Sequence, residues 1–134
     1  LWRDTPAAFG QDIKANLLVF EGIENGHYDA LNWAWEKNFY IIAICHCEGP
    51  DHLARMDKAV AMADALVETV DGPYRDRYAE MGKQPRRVRE IIRRFGRHPH
   101  RNPFYGRLSS PVEEAYIAEG DFPHVRKIET GAGA

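Results

Sequence analysis

Long apolar runs, alternating strand patterns and the familiar nucleotide and nucleophile motifs are all missing from this chain, and cysteine is scarce, with two residues in 134. No stretch approaches the roughly 18 apolar residues of a membrane helix, and no charged-then-apolar leader opens the sequence, so nothing is expected to span a membrane. Cys45 and Cys47 are separated by one residue, poor geometry for an unstrained bridge, so a reduced, cytoplasmic setting is expected. No segment alternates polar and apolar side chains with a period of two, which removes half-exposed strands and leaves an all-α class. A serine-nucleophile elbow, a Walker phosphate loop, a dinucleotide glycine fingerprint and a zinc-protease helix are likewise absent. The residues alone therefore name no reaction.

What is present suffices for one domain. Hydrophobic residues make up 44% and charged residues 28%, ordinary globular values that argue against disordered, collagen-like and coiled-coil classes. A chain of this length buries a core without help from a metal or a disulfide. One helical domain is expected over residues 1–128, with 129–134 a flexible tail, because Gly131-Ala132-Gly133-Ala134 closes the sequence. Since Leu1 rather than a methionine opens it, the true N-terminus is expected upstream.

Thr5-Pro6 predicts a helix start, with Phe9, Ile13, Leu17 and Phe20 lining one face to about Gly22. Residues 31–47 are almost continuously apolar, with Trp33, Trp35, Phe39, Tyr40, Ile41, Ile42 and Ile44, and predict a buried central helix that Gly49-Pro50 breaks. Leu53, Met56, Val60, Ala63, Val67 and Val70 then alternate spacings of three and four. This is the cleanest amphipathic stripe in the chain, and it is expected to pack on the apolar helix. A short helix over 74–81 follows. Another over 85–95 carries Val88, Ile91, Ile92 and Phe95 and ends at Gly96. A proline-bearing loop covers 97–109, and Ser110-Pro111-Val112-Glu113 has the capping-box pattern that opens a last helix to about Glu119. Short turns make antiparallel helix pairs the expected arrangement, although no repeat of roughly 33 to 47 residues aligns.

Charge is unevenly spread. From Lys83 to Arg107 nine basic residues face one acid, Glu90, a surplus of eight, so with a net charge of −2 the rest of the chain carries −10. The total draws the protein to neither nucleic acid nor membrane, yet the molecule is dipolar. The basic segment reads either as a site for phosphate, carboxylate or nucleic-acid backbone, or as a face docked on acids such as Glu113, Glu114, Glu119 and Asp121. Docking better suits Arg86, Arg87 and Arg89, early in an exposed helix. Arg94, Arg97 and Arg101 instead crowd a helix end and a proline-fixed loop. Part of that crowding needs no ligand, since a helix C-terminus is negative and attracts Arg94 and Arg97. Cys45-His46-Cys47 with His52 could suggest zinc. One C-x-C without a second pair is a weak signal, and positions two apart point about 200° apart on a helix. No metal or cofactor is expected.

Three blocks carry a resemblance. The stretch Arg94-Phe95-Gly96-Arg97-His98-Pro99-His100-Arg101-Asn102, followed by Gly106-Arg107 and Ser110-Pro111-x-Glu113-Glu114, is similar to the C-terminal signature of the bacterial family known as domain of unknown function 924. The usual form of that signature is Phe-Gly-Arg-Phe-Pro-His-Arg-Asn. Leu1-Trp2-Arg3-Asp4-Thr5-Pro6-x-Ala8-Phe9 resembles the family's arginine-threonine-proline-x-alanine-phenylalanine block, and Cys45-His46-Cys47-Glu48 falls where the family has histidine-serine-glutamate after an apolar helix. The resemblance covers almost the whole chain. It implies an all-α superhelix of the tetratricopeptide-like kind, with no established activity. Cys47 stands in place of the usual serine and His98 in place of the usual phenylalanine. The family's additional N-terminal helices, with an aspartate-glutamine-phenylalanine-proline-arginine motif, have no counterpart in this sequence.

Two functions of different class follow. Stacked helices present grooves to proteins or peptides, so a binding or scaffold module is the first expectation. The second is a small-anion-binding protein or an enzyme whose polar pocket uses His46, Glu48, Arg94, Arg97, His100, Arg101 and Asn102. Histidine and carboxylate would supply acid–base groups, and arginine would hold a negative one. In its sharpest form, Arg101, His100 and Asn102, flanked by Pro99 and Pro103, converge with His46 and Glu48 on a partly buried pocket for a carboxylate or phosphate. A closed hydrogen-bond network with no room for ligand would account for the same residues. Nucleic-acid binding rests on the basic segment alone, lacks an aromatic-interleaved platform, and comes last.

Overall fold

The structure is a computed structural model that describes residues 5–125. Residues 1–4 of the N-terminal block and the expected tail over 129–134 lie outside the described residues. A 3-10 turn, Pro6–Ala8, leads into α1 (Asp12–Glu24), a single turn α2 (His27–Ala30), α3 (Ala34–Cys45), α4 (His52–Val67), α5 (Pro73–Met81) and α6 (Lys83–Phe95). A second 3-10 turn, Pro99–Arg101, runs into the one-turn α7 (Asn102–Tyr105), and α8 (Pro111–Glu119) follows. The class is all-α, as the missing alternation predicts. No helix among the described residues is long and apolar enough to cross a membrane.

α4 is the hub. It packs against α3, α5 and α6, and α1 packs on α3. Some of these contacts join sequence neighbours, α3 with α4 and α4 with α5, and others skip one helix, α4 with α6 and α1 with α3. The inner face of α4 is His52, Met56, Ala59, Ala63 and Leu66, a row displaced from the predicted stripe, in which Val60 and Val67 are only half-buried. Ala59 is completely enclosed, so α6 can come close, and the apolar bulk is supplied from the partner helices by Ile41, Ile44, Val88 and Ile92. Reading the stripe from the largest side chains misses an interface whose close approach depends on small ones.

Two further expectations are corrected. Residues 31–47 are not a helix buried on all sides: α3 starts at Ala34, buries Ile41, Ile44 and Cys45, and leaves Trp33, Trp35 and Phe39 more than half exposed. On α1 the predicted row holds only at its ends: Phe9 and Phe20 are half-buried, Phe20 against the core, but Ile13 is 73% exposed and Leu17 also outside, while Asn16, Val19 and Gly22 are buried. A Cβ on Gly22 would lie 2.8 Å from the Tyr40 hydroxyl, so this glycine leaves room for the Tyr40 ring of α3, which any larger residue would displace. The helix is therefore oriented by a close approach and a buried asparagine, neither of which registers in an apolar count.

Local signals fare better. Gly96 ends α6 in the left-handed region, at φ 68°. Ser110 Oγ accepts from the Glu113 N–H at 3.3 Å, and Glu113 Oε2 accepts from the Ser110 N–H at 2.8 Å, completing the capping box that opens α8. The basic face of α6 docks chiefly on α4: Arg86 holds Asp64 and Arg89 holds Asp57, while Arg87 reaches Asp121. Such exposed pairs contribute on the order of a few tenths of a kcal/mol each and set register more than stability.

Candidate functional site

The loop after α6 and the end of α3 are joined by a polar network. The Glu48 carboxylate accepts from the His98 backbone N–H at 2.6 Å and pairs with the Arg107 guanidinium. Arg107 Nε donates to Asn102 Oδ1 at 2.9 Å, another of its nitrogens donates to the His98 carbonyl at 3.1 Å, and Asn102 Nδ2 donates to Ser109 Oγ at 2.9 Å. Arg97 grips Glu113 with two donors at 2.7 and 2.8 Å and also reaches the Leu108 carbonyl. Burial alone would raise the Glu48 pKa, but the hydrogen bonds from Arg107 and His98 outweigh it and hold it below the usual carboxylate range. The Arg97 hydrogen bonds pull Glu113 down to about 2. His98 Nε2 donates to the Cys47 carbonyl at 3.1 Å, and burial, seconded by Arg101 and His100, lowers its pKa to about 3, so the ring is neutral at pH 7. For Glu48, Arg97 and Asn102 the geometry is that of a closed network with its donors and acceptors engaged.

A second cluster lies beside it and is put together differently. Arg101 is 94% buried, with its guanidinium 4.3 Å over the Phe9 ring and one terminal nitrogen 3.4 Å from Asp12 Oδ2. Asp12 stands in the first turn of α1; its other oxygen lies 3.5 Å from His46 Nδ1, and its backbone carbonyl accepts from the Cys47 thiol at 3.2 Å. One turn on, Asn16 Oδ1 accepts from Arg55 at 3.1 Å. His46 and Arg101 thus share one carboxylate, contributed by a residue that sequence reading did not select. The available signal was Asp12 and Asn16 at i, i+4 on the same side as Val19 and Ile23, a polar pair on a buried helix face. Phe9 also meets the rings of Phe104 and Tyr105 at 6.3 and 5.9 Å, so Phe9, Cys47 and Arg101, one residue from each block that carries the family resemblance, stand around Asp12.

The cluster is incompletely satisfied. Arg101 Nε, Asn16 Nδ2, Asp12 Oδ2 and His100 Nδ1 are buried atoms with no hydrogen-bond partner. The contrast with the exposed arginines is sharp: Arg86 holds Asp64 through paired contacts of 2.8 and 2.7 Å, and Arg75 holds Glu68 at 2.7 and 2.8 Å. The most buried guanidinium of these is the loosest held. Leaving a buried donor without an acceptor costs about 1–3 kcal/mol.

The remaining predicted residues fall around this centre. The His100 ring lies 4.5 Å from that of His124, and burial, then His124 and Arg101, lower its pKa to about 4. His46 is exposed. Arg94 sits apart from the cluster, over the neighbouring Phe95 ring at 4.7 Å, and with Glu48, Arg97 and Arg107 lines an open cleft of about 630 Å³. A second groove, of about 760 Å³, has Ile41, Ile42, Cys45, Met81 and Pro85 along it, Lys83 and Arg87 at its rim, and both His46 and His124 in its wall. Burial raises the Cys45 thiol to about 12 and the Cys47 thiol to about 11, so neither is a thiolate at pH 7. Among the described residues no group of three or more histidine, cysteine, aspartate or glutamate side chains is placed to hold a metal ion.

Comparison with known proteins gives the chain its relatives. A family profile described as "Bacterial protein of unknown function (DUF924)" matches residues 1–121. A search of curated proteins finds no match. Among solved structures, that of a protein of unknown function from Agrobacterium tumefaciens superposes with a TM-score of 0.64 at 28% identity, over 90% of this chain and 60% of the other. This chain accordingly spans 60% of that relative's length. With nine-tenths of its sequence inside the family profile, the chain belongs to the DUF924 family of bacterial proteins.

Proposed function

We propose that this chain binds a small anion, a carboxylate or a phosphate, at the cluster of Asp12, Asn16, His46 and Arg101. The observation that carries the reading is the unpartnered Nε of Arg101 on a side chain 94% buried. Asn16 Nδ2 is a second buried donor without an acceptor. Two guanidiniums, Arg55 and Arg101, reach these residues, and the carboxylate in contact with Arg101 is that of Asp12, at 3.4 Å, with Glu48 acting on it from the neighbouring network. An oxygen-bearing anion supplies the acceptors that both donors lack. The neighbouring Glu48 network supports the reading by fixing the loop that carries Arg101, so little ordering remains to be done on binding.

Isothermal titration with sodium phosphate and sodium acetate at constant ionic strength tests this. The expected result is saturable binding that weakens at least tenfold in Asn16→Asp, which puts a carboxylate where a donor stood, and severalfold in His46→Asn at an exposed position. Arg101→Met, if its circular dichroism is native, should abolish it. Absence of saturable heat with either salt, or equal binding by the native protein and Asn16→Asp, would overturn the proposal.

The scaffold reading has one observation of its own, the exposed row of Trp35 and Phe39 on α3, whose rings meet edge to face at 6.3 Å. Replacing both by serine should change stability by no more than about 0.5 kcal/mol and lower the binding of a hydrophobic dye. A loss of about 2 kcal/mol or more in urea unfolding would mean that the rings pack within the chain, and would remove that reading.

A further inference from the structure

We infer that the anion is the head group of an aliphatic carboxylate whose apolar body lies in the groove beside α3. This inference rests on the anion site proposed above and extends it from a charge to a substrate class. His46 is the connecting residue: it lies 3.5 Å from Asp12 within the cluster and also lines the groove of about 760 Å³. His124, which lines the same groove, brings its ring to 4.5 Å from His100, the residue next to Arg101. Two histidines in the groove wall thus reach the polar cluster by separate routes. The rest of the lining is mixed: Asn38, Gln84 and the paired Glu80 and Lys83 stand among Ile41, Ile42, Cys45, Met81 and Pro85, and of the apolar residues Ile42 and Met81 remain 41% and 37% exposed. That exposed surface is what a hydrocarbon chain would cover.

Charge at the rim selects the same class. Lys83 and Arg87 stand along the groove, each already paired, with Glu80 and Asp121 respectively. Glu80, the acid in the lining, is taken up by Lys83, so a cationic head group meets no unpaired carboxylate among the described lining residues, whereas a negative one meets His46 and the cluster behind it. The groove lies within the roughly 300–1,000 Å³ of ordinary small-ligand sites, and an apolar patch of Ile41, Ile42, Met81 and Pro85 beside His46 suits a molecule with one charged terminus and an apolar body.

The test is a homologous series: acetate, butyrate, hexanoate and octanoate, titrated calorimetrically into the native chain. Each methylene that enters the groove should tighten binding roughly fourfold, the factor that about 0.8 kcal/mol per buried CH₂ corresponds to. Ile42→Glu and Met81→Gln, both at half-exposed positions that tolerate change, should flatten that dependence while leaving acetate binding as it was. His46→Asn should weaken every member by a similar factor. If acetate binds and affinity does not grow with chain length, the groove assignment is wrong and the anion site stands. If neither acetate nor phosphate binds, the underlying reading fails. A length dependence that survives in both groove variants would also overturn the assignment.

Discussion

Ala59→Asp is expected to leave the protein unfolded at 25 °C, whereas Val60→Asp, one residue along, should lose only about 1 kcal/mol. Ala59 is fully enclosed where α4 meets its neighbours, in a core cluster with Ile44, Met56, Val88 and Ile92, so a carboxylate there has neither water nor a cationic partner. Burying an unpaired charge costs several kcal/mol even after the group neutralises itself, a large part of the roughly 5–15 kcal/mol that holds a domain together. Val60 is half-buried, so an aspartate at that position can keep its head in solvent. Urea unfolding followed by circular dichroism compares the two directly. The reverse ordering would return the α4 interface to the Val60 and Val67 row.

The second large effect is acid sensitivity beginning well above the carboxylate range. His52, His98 and His100 all have depressed pKa values, His98 to about 3 and His100 to about 4, with burial as the leading cause in each. A depressed group contributes stability above its unfolded pKa of about 6.5 and loses it as pH falls toward the folded value, because the unfolded chain takes up protons that the folded chain refuses. Each such histidine removes up to about 1.4 kcal/mol per pH unit below about 6.5. Glu48 and Glu113, both lowered, add a further loss once pH passes below about 4.5. Thermal melts from pH 8 to pH 4 should therefore show a steady fall starting near 6.5. His98→Phe, the residue usual at this place in the family signature, should make the slope shallower by one histidine's share. A melting temperature that stays flat from pH 8 to pH 5 would contradict this account of the buried rings.

These expectations also mark what the sequence can and cannot disclose. Gly96, the Ser110 capping box and the break at Gly49-Pro50 are legible because each acts through backbone geometry within a few residues. The faces of α1 and α4 are not, because Asn16 and Gly22 are buried against Arg55 and Tyr40, and Ala59 in a core shared with residues of α3 and α6. The polar residues of the signature stand out as a group, yet their division does not. Arg97 and Asn102 are tied into a structural network by Glu113 and Ser109, a short way along the same segment, and Glu48 joins it through Arg107, 59 residues away; spacing alone does not show which of these partners meet. Arg101 and His46 form the other cluster through Asp12, which stands on a different helix and appears in the sequence as one acid among twenty.

That division makes the central claim measurable one nitrogen at a time. In a nitrogen-15 correlation spectrum the arginine Nε–H groups give separate signals. Arg97 Nε donates to Glu113 and Arg107 Nε donates to Asn102, whereas Arg101 Nε has no acceptor. Titration with sodium butyrate should move the Arg101 Nε–H and Asn16 side-chain amide signals along one saturable curve while those of Arg97 and Arg107 stay in place. An Arg101 signal that does not move, or arginine signals that all drift together with salt concentration, would contradict the claim that this cluster is a ligand site.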